Sequence, residues 1–539
     1  MKHHRAERPK RRLVTVAMAA AACGIIAGFV ASSSPEASAS SGSETFVAAV
    51  PAVPASLDPV SFQAGTRQVL DAYNSQLFNL NVKSCGATPS GLSLTGNLAK
   101  SWTRDPGGKS YTITLNDYKS QYGNPLTSED VKWTVERGLA VVPIDKAIGL
   151  LFAHYNPKNP ITIINSHTFK LNVVSATPED LPNFAVPTFT IYDATEAMKH
   201  ATKSDPWAKA WLATHADGFG PWQITSYTPN SEVVMTPNPG YTGPRGNVSK
   251  VILKAVPTPS DQSELLSSGE VDYAGGMTWP EYKSLASSSS VKVYPCAAYS
   301  RDWLILNQKY GPLANLKVRQ AINMAINRQA LVTGAYAGYG TPALTGWIPG
   351  EASGGTATES VSAAKALMAS AGYPHGFALT LVYNEVQPGP QADQLAILLQ
   401  SQLSAIGIQL NLDHTPSAAT WETDNETGNY QAELYSSLPV IPDVYFDALL
   451  IAPGSINNTW HFENPQYLAL FKKLSGATPG SPTFNSAATQ LGVLNTTLLP
   501  VVNLVNTPNI FAMTSNVTLT TASLRTITVL PDFSQLEMK

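Results

Sequence analysis

Residues 433–446, ELYSSLPVIPDVYF, pose a chemical choice. An alternating stretch runs into two prolines and two aromatics, and Asp443 is the only charge after Glu433. That carboxylate either grips a ligand or turns the chain. The familiar catalytic patterns are missing around it: there is no GxSxG, no Walker loop, no GxGxxG after a strand and no HExxH. His154, His167, His200, His215, His375, His414 and His461 are scattered, with no two at metal-ligand spacing. His461, beside Trp460, reads as an ordinary imidazole. The acid pairs Glu129/Asp130 and Glu270/Asp272 read as helix caps or solvated turns. No catalytic residue, metal or cofactor is expected, and a secreted hydrolase with dispersed catalytic residues is the weaker alternative.

The elements that must position such groups sit behind a targeting segment. Lys2, Arg5, Arg8, Lys10, Arg11 and Arg12 precede the apolar run 13–31, and ASA at 37–39 offers small residues for cleavage. Three fates remain open: cleavage near Ala39, lipidation at Cys23, or retention of the run as an anchor helix. Each places the rest of the chain outside the cytoplasm, at the cell surface or in a periplasm. Without residues 1–39 the chain keeps 29 cations against 36 anions, a mildly acidic balance that argues against nucleic acid as a partner. Cys85 and Cys296 survive cleavage, and an oxidising compartment permits a disulfide between them; two isolated thiols are the other reading.

Short strands and amphipathic helices alternate along the chain without repeats. FVAAVPA (46–52) reads as a strand and VLDAYNSQLF (69–78) as a helix. SYTITLN (110–116) reads as a strand leading to a helix capped by Thr127 with Asp130 three residues on. Residues 222–239 read as a hairpin. The clearest unit is FALTLVYN, then a helix with Leu395, Leu399, Leu403 and Ile406 on one face, then Gly407 and the strand IQLNLDH. That is a βαβ unit, preceded by another helix closed by Gly372, and it implies a parallel pair in an α/β layer architecture.

A resemblance adds to this reading. SLDP (56–59), GNLAKSW (96–102), YTITL (111–115) and GNPLTSEDVKWTVER (123–137) follow in order. FGPWQITSYTPNSEVVMTPNPGYTG (219–243), ILKAVPTPSDQSELLSSGEVDYA (252–274), LKVRQAINMAINRQALV (316–332), GYGTPA (338–343), AKALMASAGYPHGFALTL, LLQSQLSAIGIQLNL and NPQY (464–467) continue it. In this order they resemble the bacterial extracellular solute-binding proteins of family 5, receptors of ABC importers for peptides, nickel or oligosaccharides. The resemblance implies a two-lobed, periplasmic-binding-protein-like α/β fold (type II, cluster C) with an extra domain inserted in the first lobe. It divides the chain into a signal segment 1–39, lobe I at 40–88, 206–297 and 501–539, an inserted domain at 89–205, and lobe II at 298–500. It further implies a monomer that closes on a solute by hinge motion and docks on permease subunits. Arg319 and Arg328, though inside the most recognisable motif, read as surface or lobe-internal ion pairs rather than ligand contacts.

By the same resemblance four places line the ligand cleft: Gln63, Ala64 and Gly65; Thr278 and Trp279, the latter equally readable as core; Tyr383, Asn384 and Glu385 at a strand end; and Trp460. The opening segment supplies Leu438 and Asp443. In peptide-binding relatives it resembles W-x-A-D-Y-x-D-P, whose first Asp pairs with the peptide's α-ammonium. Counting back from Phe446 puts Ser436 on the Trp, Leu438 on the Ala, Pro439 on that Asp and Pro442 on the second Asp. A proline offers neither charge nor N–H. The implied ligand is therefore an oligopeptide or peptide-like solute, with an oligosaccharide or other neutral solute as the alternative. Asp443 is either a replacement anchor or a turn cap.

Overall fold

The computed structural model describes residues 44–59, 73, 75–81, 93–141, 154–175, 177, 180–185, 189–347, 354–385, 387–415, 417–437, 444–455, 457–520 and 531–539. The chain begins its main sheet with β1 (Glu44–Val50), whose side chains alternate. Phe46, Ala48 and Val50 enter one core, and Ala49 enters the core on the opposite face. The helix read over 69–78 falls mostly outside the described residues. Tyr73 is helical, but Phe78 already belongs to a short strand paired with 93–96, which corrects the end of that reading.

Next come β2 (Ala99–Arg104), β3 (Ser110–Leu115), α1 (Ser128–Val141), β4 (Ile161–Asn165) and β5 (Thr168–Asn172). The four strands form their own antiparallel sheet in the order β2-β3-β5-β4. Thr127 caps α1 with the partner read from sequence: its N–H and hydroxyl both donate to Asp130 Oδ2, at 2.7 and 2.8 Å. Asp58 of SLDP and Arg137 of α1 meet as a buried ion pair, and the Tyr192 hydroxyl donates to Asp58 at 2.8 Å. Two of the sequence motifs are thus joined by one structural contact.

β6 (Trp222–Thr228) and β7 (Glu232–Pro237) make the expected hairpin, followed by β8 (Val248–Ala255), α2 (Pro259–Ser268), β9 (Tyr273–Ala274) and α3 (Trp279–Leu285). The long β10 (Val291–Leu306) leads to α4 (Leu316–Ala325), α5 (Arg328–Ala335) and α6 (Val361–Ser370). The βαβ unit follows as β11 (Ala378–Tyr383), α7 (Ala392–Ser404) and β12 (Gln409–His414), with β11 and β12 parallel. Gly407 closes α7 at φ 84°, a conformation that side chains resist. Then come α8 (Ala418–Thr427), β13 (Ala432–Ser437), α9 (Val444–Ile451), α10 (Pro465–Ser475), α11 (Pro482–Leu498) and β14 (Val502–Thr514).

One eleven-stranded sheet runs β12-β11-β13-β10-β14-β9-β1-β8-β7-β6, with Thr341–Pro342 added on β14. Among the described residues its two halves are joined by β10 and β14, which pair antiparallel along their length. Val291–Cys296 runs beside the first half. Arg301–Leu306 pairs with β13 in the second. The register slips between them at Cys296/Ala298 and Ala298/Ser300 and again at Asp302/Trp303 within the second segment, and Pro508 brings no N–H to the ladder. These irregularities interrupt the ladder where one half gives way to the other.

Arg319 corrects the sequence reading, whereas Arg328 makes the ion pair that reading expected. Arg319 is buried and donates to the carbonyls of Leu313, Ala314 and Leu498 at 2.9–3.1 Å, with no ion pair among the described residues. Burial lowers its pKa to about 10. Arg328 does meet Glu359, at 3.3 Å, but also donates to the carbonyls of Asn503, Asn323 and Ile326. Both clamp helix ends to their neighbours, because exposed carbonyls at helix termini need donors.

Candidate functional site

The strands of the two halves end toward the same place. β1, β8 and β9 are parallel in the first half, as β11, β12 and β13 are in the second. The carboxyl end of β13, Ser437, pairs with Arg301 beside the bulges, and Ala274 at the end of β9 pairs with Ala512. Ligands of open α/β sheets bind outside such carboxyl ends.

Thr278 and Trp279 stand here. Thr278 caps α3 in a box with Glu281, whose carboxylate accepts from the Thr278 N–H and hydroxyl at 2.7 and 2.8 Å. The Trp279 indole N–H donates to Gln391 Oε1 at 3.0 Å, and its ring lies 5.7 Å from Tyr336 and 5.9 Å from Tyr339. Trp279 belongs to the first half, and those three partners belong to the second. Lys283, one turn on, reaches across to the Ala337 carbonyl at 2.9 Å. Beneath this contact the Tyr336 hydroxyl donates to Asp302 in β10. Burial pushes Asp302 up to about 7, against the pull of hydrogen bonds from Tyr336, Ser436 and Gln391.

Tyr383 ends β11 and is buried. Asn384 is buried as well, and its amide donates to the Thr415 carbonyl at 2.8 Å. Glu385 is exposed and engaged by His414 Nε2 at 2.8 Å. Asp393 joins them, so that one ligand atom from each of the three lies within 4.8 Å of the others. Burial would raise Glu385, but its hydrogen bond to His414 and the imidazole charge leave it below its usual value. The same hydrogen bond raises His414. Tyr383 is pushed up to about 12 by burial and the neighbouring carboxylates. No histidine spacing in the sequence announced this cluster. The parallel register that sets Tyr383 opposite His414 creates it.

Trp460 is buried at the edge of a chamber lined by Trp303, Asn425, Tyr435, Leu450 and Asn457. Its neighbour Asn458 instead pins the backbone of Phe462, accepting from its N–H at 2.9 Å and donating to its carbonyl at 2.7 Å. Among the described residues, the indole N–H groups of Trp303, Trp421 and Trp460 and the Oε1 of Glu433 find no hydrogen-bond partner. Each such orphan costs about 1–3 kcal/mol in a sealed interior. Burial raises Glu433 to about 8 against the hydrogen bond from Asn425. Sequence reasoning missed Trp303, Trp421, Tyr435, Gln391 and Asp302. The alternation of ELYSS was the one available signal: it puts Glu433 and Tyr435 on one face.

Gln63, Ala64, Gly65, Leu438, Asp443, Cys23 and Cys85 lie outside the described residues. Cys296 is disulfide-bonded. Among the described residues, no helix is long and apolar enough to cross a membrane.

Comparison with known proteins places this arrangement. The family model described as "Bacterial extracellular solute-binding proteins, family 5 Middle" matches residues 93–457. A probable D,D-dipeptide-binding periplasmic protein of Escherichia coli K12, DdpA, is 27% identical over 356 residues, covering 65% of this chain and 66% of that one. Di/tripeptide-binding protein 3 of Pseudomonas aeruginosa UCBPP-PA14 is 24% identical, covering 71% and 77%. Among solved structures, the dipeptide-binding protein of Pseudoalteromonas sp. SM9913 in complex with Met-Leu superposes with a TM-score of 0.77 at 18% identity, over 92% of this chain and all of that one. The binding protein AgaA of A.tumefacien R10 in complex with agropinic acid gives 0.75 at 24% identity, over 92% and 99%. The fold is therefore the two-lobed type II binding-protein fold, and the matching proteins are binding proteins rather than enzymes.

Proposed function

We infer the role from one premise: this chain belongs to the bacterial extracellular solute-binding proteins of family 5. It is the substrate-binding component of an ABC importer. It captures an oligopeptide or peptide-like solute between its halves, closes over it and presents it to membrane permease subunits. It works outside the cytoplasm as a monomer, exported by residues 1–39 and held at the membrane if Cys23 is lipidated. Residues 89–205 act as a domain inserted in lobe I, a reading supported by the separate sheet β2-β3-β5-β4. Cys85 is the partner we assign to Cys296.

The observation that carries this reading is the junction of the halves. The carboxyl strand ends of both meet beside the bulged strands β10 and β14, and Trp279 reaches from one half to Gln391 in the other. A solute seated there touches both halves, so its binding energy favours the closed state. The peptide-binding names of the relatives supply the solute class. A neutral solute such as an oligosaccharide is the second reading. It is favoured by the carboxylates described at this edge: Glu385 is already engaged by His414, and burial raises Glu433 and Asp302 above the ordinary carboxylate range.

A melting-temperature screen of the full exported chain against di-, tri- and tetrapeptides and neutral oligosaccharides tests the role. A true ligand at about 100 times its Kd stabilises the folded state by about 2.7 kcal/mol. A rise confined to peptides supports the first reading, and one confined to sugars supports the second. No rise in either panel would count against solute capture.

A further inference from the structure

The chamber behind β13 has a composition that a plain core does not need. Ala432 and Leu434 turn into the core beneath α4–α7, so Glu433, Tyr435 and Ser437 face the other way. Trp303 sits opposite Tyr435 in the ladder, with rings stacked at 6.1 Å. Trp421 stacks on the same Tyr435 at 6.2 Å, and Trp460 meets Trp303 edge-on at 6.5 Å. Asn425, Asn457 and Tyr435 are half-buried and form the mouth, while Trp303 and Trp460 are 2% exposed and form the floor. Glu433 backs the chamber. It is fully buried, with one oxygen taken by Asn425 at 2.9 Å and the other without a partner among the described residues.

Two properties define what such a space accepts. The first is size: the chamber is a narrow recess with room for about one water-sized group. Only the tip of a ligand enters. The second is polarity. An indole nitrogen donates and never accepts, and two unpartnered indole donors belong to the floor, with a third on Trp421 behind Tyr435. Among the described residues, no Lys, Arg or His forms an ion pair with Glu433. A neutral carboxyl adds one more donor. A cation would bring only further donors, and a carboxylate would sit beside Glu433 with no counter-charge.

We propose that this chamber is a specificity subsite of the solute cleft, taking the tip of the bound solute as an uncharged hydrogen-bond acceptor, a hydroxyl or an amide oxygen, against Trp303 and Trp460. It rests on the solute-capture role and narrows the solute class within it.

The test is calorimetric titration of the full chain with the tripeptide series X-Ala-Ala, Ala-X-Ala and Ala-Ala-X, where X is Ser, Asn, Val, Lys or Glu, and with maltotriose and cellotriose. Tryptophan fluorescence serves as the second readout. In one position Ser or Asn binds at least tenfold tighter than Val, Lys or Glu. Trp303→Phe and Trp460→Phe, which keep an aromatic ring and remove the donor, reduce that preference about fivefold or more, beyond any loss of Ala-Ala-Ala affinity measured in the same variants. Glu433→Gln retains the preference at pH 7. If no tripeptide binds but a trisaccharide does, and the Trp→Phe variants weaken it, the peptide reading falls while the subsite stands. Equal affinity for every X with unaffected Trp→Phe variants overturns the subsite. So does a preference for Lys that Glu433→Gln abolishes, and so does the absence of binding by either class.

Discussion

Glu433 shows how a single carboxyl registers its surroundings. From its ordinary value of 4.5 it is pushed up to about 8, because burial penalises the charged form more than the Asn425 hydrogen bond favours it. Between those two values the folded chain holds a proton that the unfolded chain has released. Stability is therefore highest below the unfolded value, falls as pH rises through this window, and levels off above about 8. Asp302, raised to about 7 by burial, acts in the same direction. Unfolding free energies from urea titration should accordingly be higher at pH 5 than at pH 8, by a difference on the order of a few kcal/mol at most. Glu433→Gln, which mimics the protonated carboxyl, should remove part of that slope. An unchanged slope in the variant would mean that Glu433 ionises freely in the folded protein. Sequence reveals the face of Glu433 through strand alternation. It does not reveal the absence of a cation beside it, since that depends on α8 and the segment around Trp460.

At the scale of elements, α3 and the two long strands are where the halves of the sheet join. The Trp279–Gln391 hydrogen bond links the halves in this structure, and the proposed hinge motion acts across it. Trp279→Phe removes the donor and keeps most of the ring. A hydrogen bond worth about 1 kcal/mol predicts roughly fivefold weaker solute binding. X-ray scattering should also show the ligand-free variant with a larger radius of gyration than the parent. Equal affinity and an equal radius would reduce Trp279 to ordinary core. The elements differ in how plainly the sequence announces them. The unit β11-α7-β12 was legible because Leu395, Leu399 and Leu403 keep a helical period between two alternating strands. β10 was not, because VKVYPCAAYSRDWLIL mixes Pro295, small residues and the buried charges Arg301 and Asp302. Those charges are tolerated through partners far along the chain: Arg301 reaches Asn506 and the Thr345 carbonyl, and Asp302 receives the Tyr336 hydroxyl. Arg319 misled for the same reason, since nothing local marks its carbonyl partner at Leu498.

At the scale of the molecule, the ordered motifs carried the family assignment, and the sheet gives them a physical sense. Motifs such as SLDP and GNPLTSEDVKWTVER meet through the Asp58–Arg137 ion pair, while LKVRQAINMAINR anchors its helices onto β14 through Arg328. These contacts hold the scaffold and leave solute choice to the strand ends and loops. That is why the architecture could be read from one sequence while the binding residues could only be named as candidates. The aromatic chamber draws on β10, α8, β13 and the turn at Trp460, four segments that only the fold assembles. The central claim is reversible capture of one solute per chain. The most direct measurement is titration calorimetry of the full exported chain with a peptide that raises its melting temperature, followed by mass analysis of the recovered peptide. The account predicts one equivalent bound and the peptide recovered intact. Cleaved or altered peptide, or no saturable binding by any member of the panel, would contradict it.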